Sequence, residues 1–262
     1  MNRVAFNIFG FNVYYYSLCI LLGVIVAYIL ITRKGKKQGL TKEFTSDLIF
    51  YTLIIGILGA RVYYCVFNLD YYLANPSEIL KIYNGGLAIH GGVIAGLIFV
   101  YFYTKKKNVS FIKILDIVAP AVIIAQSFGR WGNFFNQEAH GGITTYQNLK
   151  NMHIPEFIIN GMHIEGKYYY PTFFFESIWC LIGFIILMIA RRNKNLRKGF
   201  QIGFYFIWYG IGRFFIEAFR TDSLMFFGLK IAQIVSLIGI IIGIIIIVTN
   251  RNKKYYNEME VK

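Results

Sequence analysis

The chain has 262 residues, of which 56% are hydrophobic, 18% aromatic and only 15% charged, with a formal net charge of +14. Soluble domains carry about a quarter charged residues, so this composition excludes that class and points to a membrane protein. The positive charge sits in short runs between apolar stretches, the pattern of membrane topology, and no nucleic-acid partner is expected from it.

A helix that crosses about 30 Å of hydrocarbon needs roughly 17–25 apolar residues. Seven stretches meet or approach that length: 13–31, 45–67, 86–103, 114–129, 172–190, 200–219 and 231–249. Within lipid each segment has to satisfy its own backbone hydrogen bonds, so all seven are predicted to be helices. The expected fold class is an all-α polytopic membrane protein with seven transmembrane helices, a single transmembrane domain over residues 1–262.

The first stretch follows a lone Arg3 and precedes the basic run RKGKK at 33–37. That is the reverse of a cleavable secretory signal, so the segment is expected to stay. Further basic runs, KKK at 105–107, RRNKNLRK at 191–198 and RNKK at 251–254, occupy every second connection. Cytoplasmic loops collect Lys and Arg, which places the N-terminus outside and the C-terminus in the cytoplasm.

The fourth stretch is the shortest and contains Pro120. The long connection after it, 130–171, is predicted to be a small external lobe between the fourth and fifth helices. There EFIINGMHIEG sets Asn160-Gly161 between two short apolar segments, the signature of a type I′ β-hairpin. His140, His153 and His163, with Glu156 and Glu165, match no zinc-ligand spacing, so no metal is expected. Cys19, Cys65 and Cys180 lie inside apolar runs and read as small interior residues with no disulfide framework. No internal repeat is visible, which leaves an inverted-repeat transporter without support.

An ionisable side chain inside a span costs at least ~2.5–3.5 kcal/mol near the bilayer centre, so each one needs a reason. With the orientation above, Tyr16, Arg61 and His90 all fall in the outer half of the membrane. So do Arg130, Asn133, Asn136 and Glu138 at the outer mouth of the fourth stretch. In WYGIGRFFIEAFRTD, Tyr209, Arg213, Glu217 and Arg220 recur at helical spacing and share one face. Singly, each has a plainer role: Arg61 as a snorkelling side chain, Arg213 and Glu217 as a structural ion pair, His90 as an interior histidine. Gly92 and Gly96 read as helix-packing glycines. Together, an arginine fork, neighbouring amide donors and accessible glycine backbone at Gly129 and Gly132 suit a phosphate, and the abundant phosphates of a membrane are lipid headgroups.

The segment GRWGNFFNQEAHG is similar to the signature of the prolipoprotein diacylglyceryl transferases, G-R-x-G-N-F-x-N-x-E-x-x-G, filled here by Arg130, Gly132, Asn133, Phe134, Asn136, Glu138 and Gly141. Other landmarks of that family appear in order: Tyr15-Tyr16-Ser17, Arg61, Gly85 to Gly92 with His90, Tyr170-Pro171-Thr172 to Glu176, and Tyr209, Gly210, Arg213, Glu217 and Arg220. The resemblance spans essentially the whole chain. Two positions depart from it. Tyr15 and Ser17 replace a Trp and a Gly beside Tyr16, and Phe175 replaces a tyrosine before Glu176, so no role is assigned to Phe175.

The resemblance implies an enzyme of the bacterial cytoplasmic membrane with its active site toward the outer face. Its substrates would be phosphatidylglycerol and preprolipoprotein signal peptides bearing a lipobox cysteine, and its products a thioether-linked diacylglyceryl group and glycerol 1-phosphate. His90, Arg130, Arg213 and Tyr16 are the expected catalytic residues. Asn133, Asn136, Glu138, Gly141, Arg61, Tyr209, Glu217 and Arg220 are expected to bind substrate, with Glu138 and Glu217 orienting the arginines. A thiol with a pKa near ~8.5 needs a base, and an imidazole titrating near ~6.5 is suited to that at neutral pH. No GxGxxG or P-loop follows a strand, so no nucleotide cofactor is expected. An anion transporter or channel is the rival reading. It would place polar groups along an inner exit, where the spans hold little beyond Asp47 and Asp116.

Overall fold

The structure, a computed structural model, describes residues 3–193, 195–221, 223 and 225–251. The basic run that begins at Arg251 otherwise lies outside the described residues. An antiparallel hairpin, β1 (Val4–Ile8) and β2 (Phe11–Tyr14), runs directly into α1 (Tyr15–Lys37). Next come α2 (Lys42–Val66), the short α3 (Leu69–Ala74), two 3-10 turns (Pro76–Leu80 and Ile82–Asn84) and α4 (Ile89–Lys106). The chain continues through α5 (Phe111–Asn136), β3 (Ile143–Thr144), α6 (Tyr146–Asn151), α7 (Glu156–Gly161), β4 (His163–Ile164) and β5 (Lys167–Tyr169). It ends with α8 (Thr172–Ala190), α9 (Phe200–Phe219), the hairpin β6 (Met225–Phe226) and β7 (Leu229–Lys230), and α10 (Ile231–Thr249).

Each of the seven apolar stretches overlaps a long helix. Five of these, α1, α2, α5, α8 and α10, are long and apolar enough to cross a membrane. The other two, α4 and α9, are diluted by polar side chains, His90, Lys105 and Lys106 in one and Gln201, Arg213 and Glu217 in the other. The chain is thus a mainly helical, multi-pass membrane protein with small sheets. Its described part forms two compact units, one reaching Ile31 and resuming at Leu115, the other running from Thr32 to Ile114.

In the Thr32–Ile114 unit, α2 and α4 pack through glycines. A Cβ on Gly92 would meet the carbonyl oxygen of Gly56 at 3.0 Å, and one on Gly59 would meet that of Gly91 at 2.8 Å. Missing side chains let the two backbones touch, which is how helices associate where lipid supplies no hydrophobic drive. Thr41 starts α2 by accepting the amide of Phe44 at 3.1 Å. The fold of α4 begins at Ile89, three residues later than the apolar stretch.

The other unit holds α5, α8, α9 and α10. The sequence suggests 114–129 for the fourth helix, but α5 runs unbroken to Asn136, through Pro120. A proline removes the amide that would bond the carbonyl four residues earlier. Here Arg191 Nη2 supplies it, donating to the carbonyls of Asp116 and Ile117 at 3.0 Å each. The carboxylate of Asp116 reaches the start of α9, accepting the amides of Gly199 at 2.6 Å and Ile202 at 3.0 Å. A buried acid thus caps α9 from α5. Helices α8 and α9 are clasped by Trp179 and Trp208, whose rings stack at 4.3 Å while each indole donates to the other's backbone carbonyl, at 2.8 and 2.9 Å.

The connection 137–171 holds a three-stranded sheet in the order β3-β5-β4. One expectation is corrected here. Asn160-Gly161 does not form the hairpin turn; both residues end helix α7. The turn is Glu165-Gly166, with φ of 49° and 78°, between His163–Ile164 and Lys167–Tyr169. Ile158, Ile159 and Met162 explain the difference. At helical spacing all three bury against Phe134, Leu149 and Phe173, whereas a strand would split them between two faces.

Candidate active site

The site grows from α5, α8 and α9. Ser177 locks α8 to α5: its hydroxyl lies 2.9 Å from that of Ser127 and accepts the Trp131 indole N–H at 3.1 Å. That register brings the neighbouring Glu176, 2% exposed, onto Arg130, with Arg130 Nη2 2.6 Å from Glu176 Oε1. From α9, Arg213 Nη1 reaches the other oxygen of the same carboxylate at 3.1 Å, and the Tyr209 hydroxyl donates to Oε1 at 3.1 Å. Arg130 Nη2 also donates to the Tyr209 hydroxyl at 3.2 Å. One turn on, Glu217 Oε2 holds Arg213 Nη2 at 2.6 Å and lies 3.8 Å from Arg220 Nε.

Among the described residues, Nε and Nη1 of Arg130 meet no acceptor, and the side chain is 21% exposed. Two guanidiniums are therefore fixed by one acid with donors left over. A guanidinium has five N–H groups in a planar fork, so one carboxylate neighbour does not saturate it.

The signature segment is built around its glycines. A Cβ on Gly132 would fall 2.5 Å from the Tyr16 ring, so Tyr16 approaches the α5 backbone closely, within electrostatic range of both Arg130 and Glu138. Gly141 donates to the carbonyl of Tyr170 at 2.8 Å and pairs with Arg220 as an isolated antiparallel bridge. A Cβ there would meet that of Tyr170 at 2.8 Å. This contact ties the start of the lobe to the end of α9. Asn133 and Asn136 turn their amides onto Glu138 Oε1, at 2.9 and 3.3 Å. Glu138 thus meets amides, whereas Glu217, like Glu176, meets guanidinium groups.

Arg61 and His90 belong to the Thr32–Ile114 unit. The Arg61 guanidinium is buried, with Nε on the carbonyl of Ile79 at 2.9 Å, Nη1 on Gly85 and Gly86 at 2.8 and 2.9 Å, and Nη2 on Glu78 at 2.6 Å. It fastens the turns 76–86 to α2. Beside it, the Glu78 carboxylate bonds Lys81 at 2.6 Å and holds that ammonium above its usual pKa. His90 is exposed in the first turn of α4.

Glu176, the hub of the cluster, is absent from the expected site residues. It is the one acid in the apolar stretch 172–190, and the cost of a charge in a span was the signal that would have found it. Among the described residues no three His, Cys, Asp or Glu side chains converge as metal ligands.

These features define a polytopic helical membrane protein with an arginine pair gathered on a buried carboxylate. Residues 3–249 match the family model of prolipoprotein diacylglyceryl transferase, and the chain belongs to that family. It is 48% identical over 251 residues, 96% of this chain and 93% of the relative, to the phosphatidylglycerol–prolipoprotein diacylglyceryl transferase of Bacillus cereus (strain G9842). The proteins of that name from Bacillus thuringiensis subsp. konkukian (strain 97-27) and Bacillus anthracis (strain CDC 684 / NRRL 3495) are 48% and 47% identical over the same coverage.

Proposed function

We propose that this chain transfers the diacylglyceryl group of phosphatidylglycerol to the thiol of a lipobox cysteine in preprolipoproteins, the first step of bacterial lipoprotein maturation. Sulfur attacks the glyceryl carbon, the bond from that carbon to the phosphate oxygen breaks, and glycerol 1-phosphate leaves with the electron pair. The observation that carries this reading is the convergence of Arg130, from the family's signature, and Arg213 on Glu176.

Negative charge gathers on the departing phosphate, and the spare N–H groups of Arg130 and Arg213 are its stabilisers. Glu176 and Glu217 hold the two forks in place beforehand, so little reorganisation is needed as charge develops. Tyr209 bridges Arg130 and Glu176 and shares that positioning role. Tyr16 shields the glycine face of α5, and Asn133 and Asn136 keep Glu138 beside it. Gly141 joins Arg220 to the lobe. His90 is the proposed acceptor of the thiol proton, and Arg61 shapes the turns before α4.

The same reading includes seven spans within one transmembrane domain, with the N-terminus outside and the C-terminus cytoplasmic. The lobe expected over 130–171, which follows the end of α5 at Asn136, lies outside, and the site faces the outer leaflet of the bacterial cytoplasmic membrane. The alternating basic runs support that orientation. The test is purified protein in detergent with phosphatidylglycerol and a lipobox peptide. Peptide gaining the mass of a diacylglyceryl group, with stoichiometric glycerol phosphate, is the expected result. Unmodified peptide rejects the reading.

A further inference from the structure

Two hairpins in the same unit share an unusual tip. The chain turns from β1 to β2 through Phe9-Gly10 and from β6 to β7 through Phe227-Gly228. In both turns the phenylalanine takes a positive φ, 48° and 46°, and the following glycine 86° and 78°. A bulky residue in the left-handed region is a conformational outlier, and Asn, Asp or Gly would make the same turn without strain. Yet the two rings are 97% and 91% exposed. Large apolar side chains displayed in this way mark a contact surface.

Where the hairpins are rooted identifies the partner. β2 ends at Tyr14 and α1 begins at Tyr15; β7 ends at Lys230 and α10 begins at Ile231. Both helices have membrane-crossing length and composition. Each tip therefore stands one short hairpin beyond the end of an apolar helix, where hydrocarbon gives way to headgroups and aromatic rings are favoured. The roots also touch the site. Tyr15 stacks on Phe135 at 4.5 Å and Tyr16 covers Gly132, while Lys230 Nζ donates to the carbonyls of Glu217 and Arg220 at 2.7 and 2.8 Å.

We propose that the two Phe-Gly hairpins are interfacial fingers whose tips, Phe9 and Phe227, insert among phospholipids and seat the Arg130–Glu176–Arg213 cluster at headgroup depth. Insertion stands on the hairpins alone; its consequence for catalysis rests on the cluster being the headgroup site.

The test uses the full chain in vesicles of phosphatidylglycerol and phosphatidylcholine. Phe9→Trp and Phe227→Trp are read as difference fluorescence against the unsubstituted chain, which has 3 tryptophans. Blue-shifted emission, quenched by lipid spin-labelled near the headgroup and not by aqueous iodide, is expected. Iodide quenching with the emission of water-exposed indole overturns the proposal. The Phe9→Asp, Phe227→Asp double variant should raise KM for vesicle phosphatidylglycerol roughly tenfold, with kcat and transfer from detergent micelles unchanged. An unchanged vesicle KM, or equal loss in vesicles and micelles, overturns it. If the unsubstituted chain transfers nothing in either medium, the headgroup reading has failed, and the fluorescence still decides whether the tips insert.

Discussion

Arg130 of α5 and Arg213 of α9 grip opposite oxygens of one carboxylate, Glu176, at 2.6 and 3.1 Å. Glu176→Gln keeps the volume and removes the charge that holds both guanidiniums. Losing one partner of a buried ion pair costs about 3–5 kcal/mol, and a disordered charge stabiliser costs about 10²–10³ in rate. Thermal melting in detergent and transfer assayed below the melting temperature should show both losses. Full activity in Glu176→Gln would remove Glu176 from the site.

Gly132 and Gly142 form a matched pair of tests. Gly132→Ala drives a Cβ into the Tyr16 ring, whereas a Cβ on Gly142 meets nothing within 4 Å. Overpacking of this kind costs about 1–3 kcal/mol. Gly132→Ala should lower both stability and transfer, and Gly142→Ala should leave both near the parent values.

Asp116 lies in the core of the same unit and caps the helix that carries Tyr209, Arg213 and Glu217. Asp116→Ala leaves two buried amides without an acceptor, a loss of about 1–3 kcal/mol. A lower melting temperature with transfer largely retained at low temperature is the expected outcome. If activity vanished while melting stayed the same, Asp116 would have a direct chemical role.

His90 and Arg213 separate the base from the phosphate stabiliser. His90→Gln should slow transfer by about 10²–10⁴ at neutral pH and recover at alkaline pH, where the thiol ionises unaided. Arg213→Ala should be slow at every pH. Near-normal turnover in His90→Gln would dismiss His90 as the base and leave the arginine role standing.

Much of this molecule was legible in its sequence because lipid permits few solutions. Apolar length locates seven long helices, with most ends within three residues and the ends of α1 and α5 six and seven residues further on. What was missed has identifiable causes. Glu176 stands in the sequence only as a landmark of the family resemblance, because a single acid in an apolar stretch does not show which side chains of other helices it will meet. The turn at Glu165-Gly166 lacks the Asn-Gly signal, while Asn160-Gly161 carries it at a helix end, where burial of Ile158, Ile159 and Met162 outweighs turn preference. Arg61 looked available for a headgroup, and only the structure shows its N–H groups on the carbonyls of Glu78, Ile79, Gly85 and Gly86.

The most direct measurement is mass spectrometry of a lipobox peptide incubated with phosphatidylglycerol and either the parent chain or Arg130→Ala. The parent should yield thioether-linked diacylglyceryl peptide and an equal amount of glycerol phosphate, and Arg130→Ala essentially none. Equal yields from the two proteins would contradict the central claim that the carboxylate-bridged arginine pair stabilises the leaving phosphate.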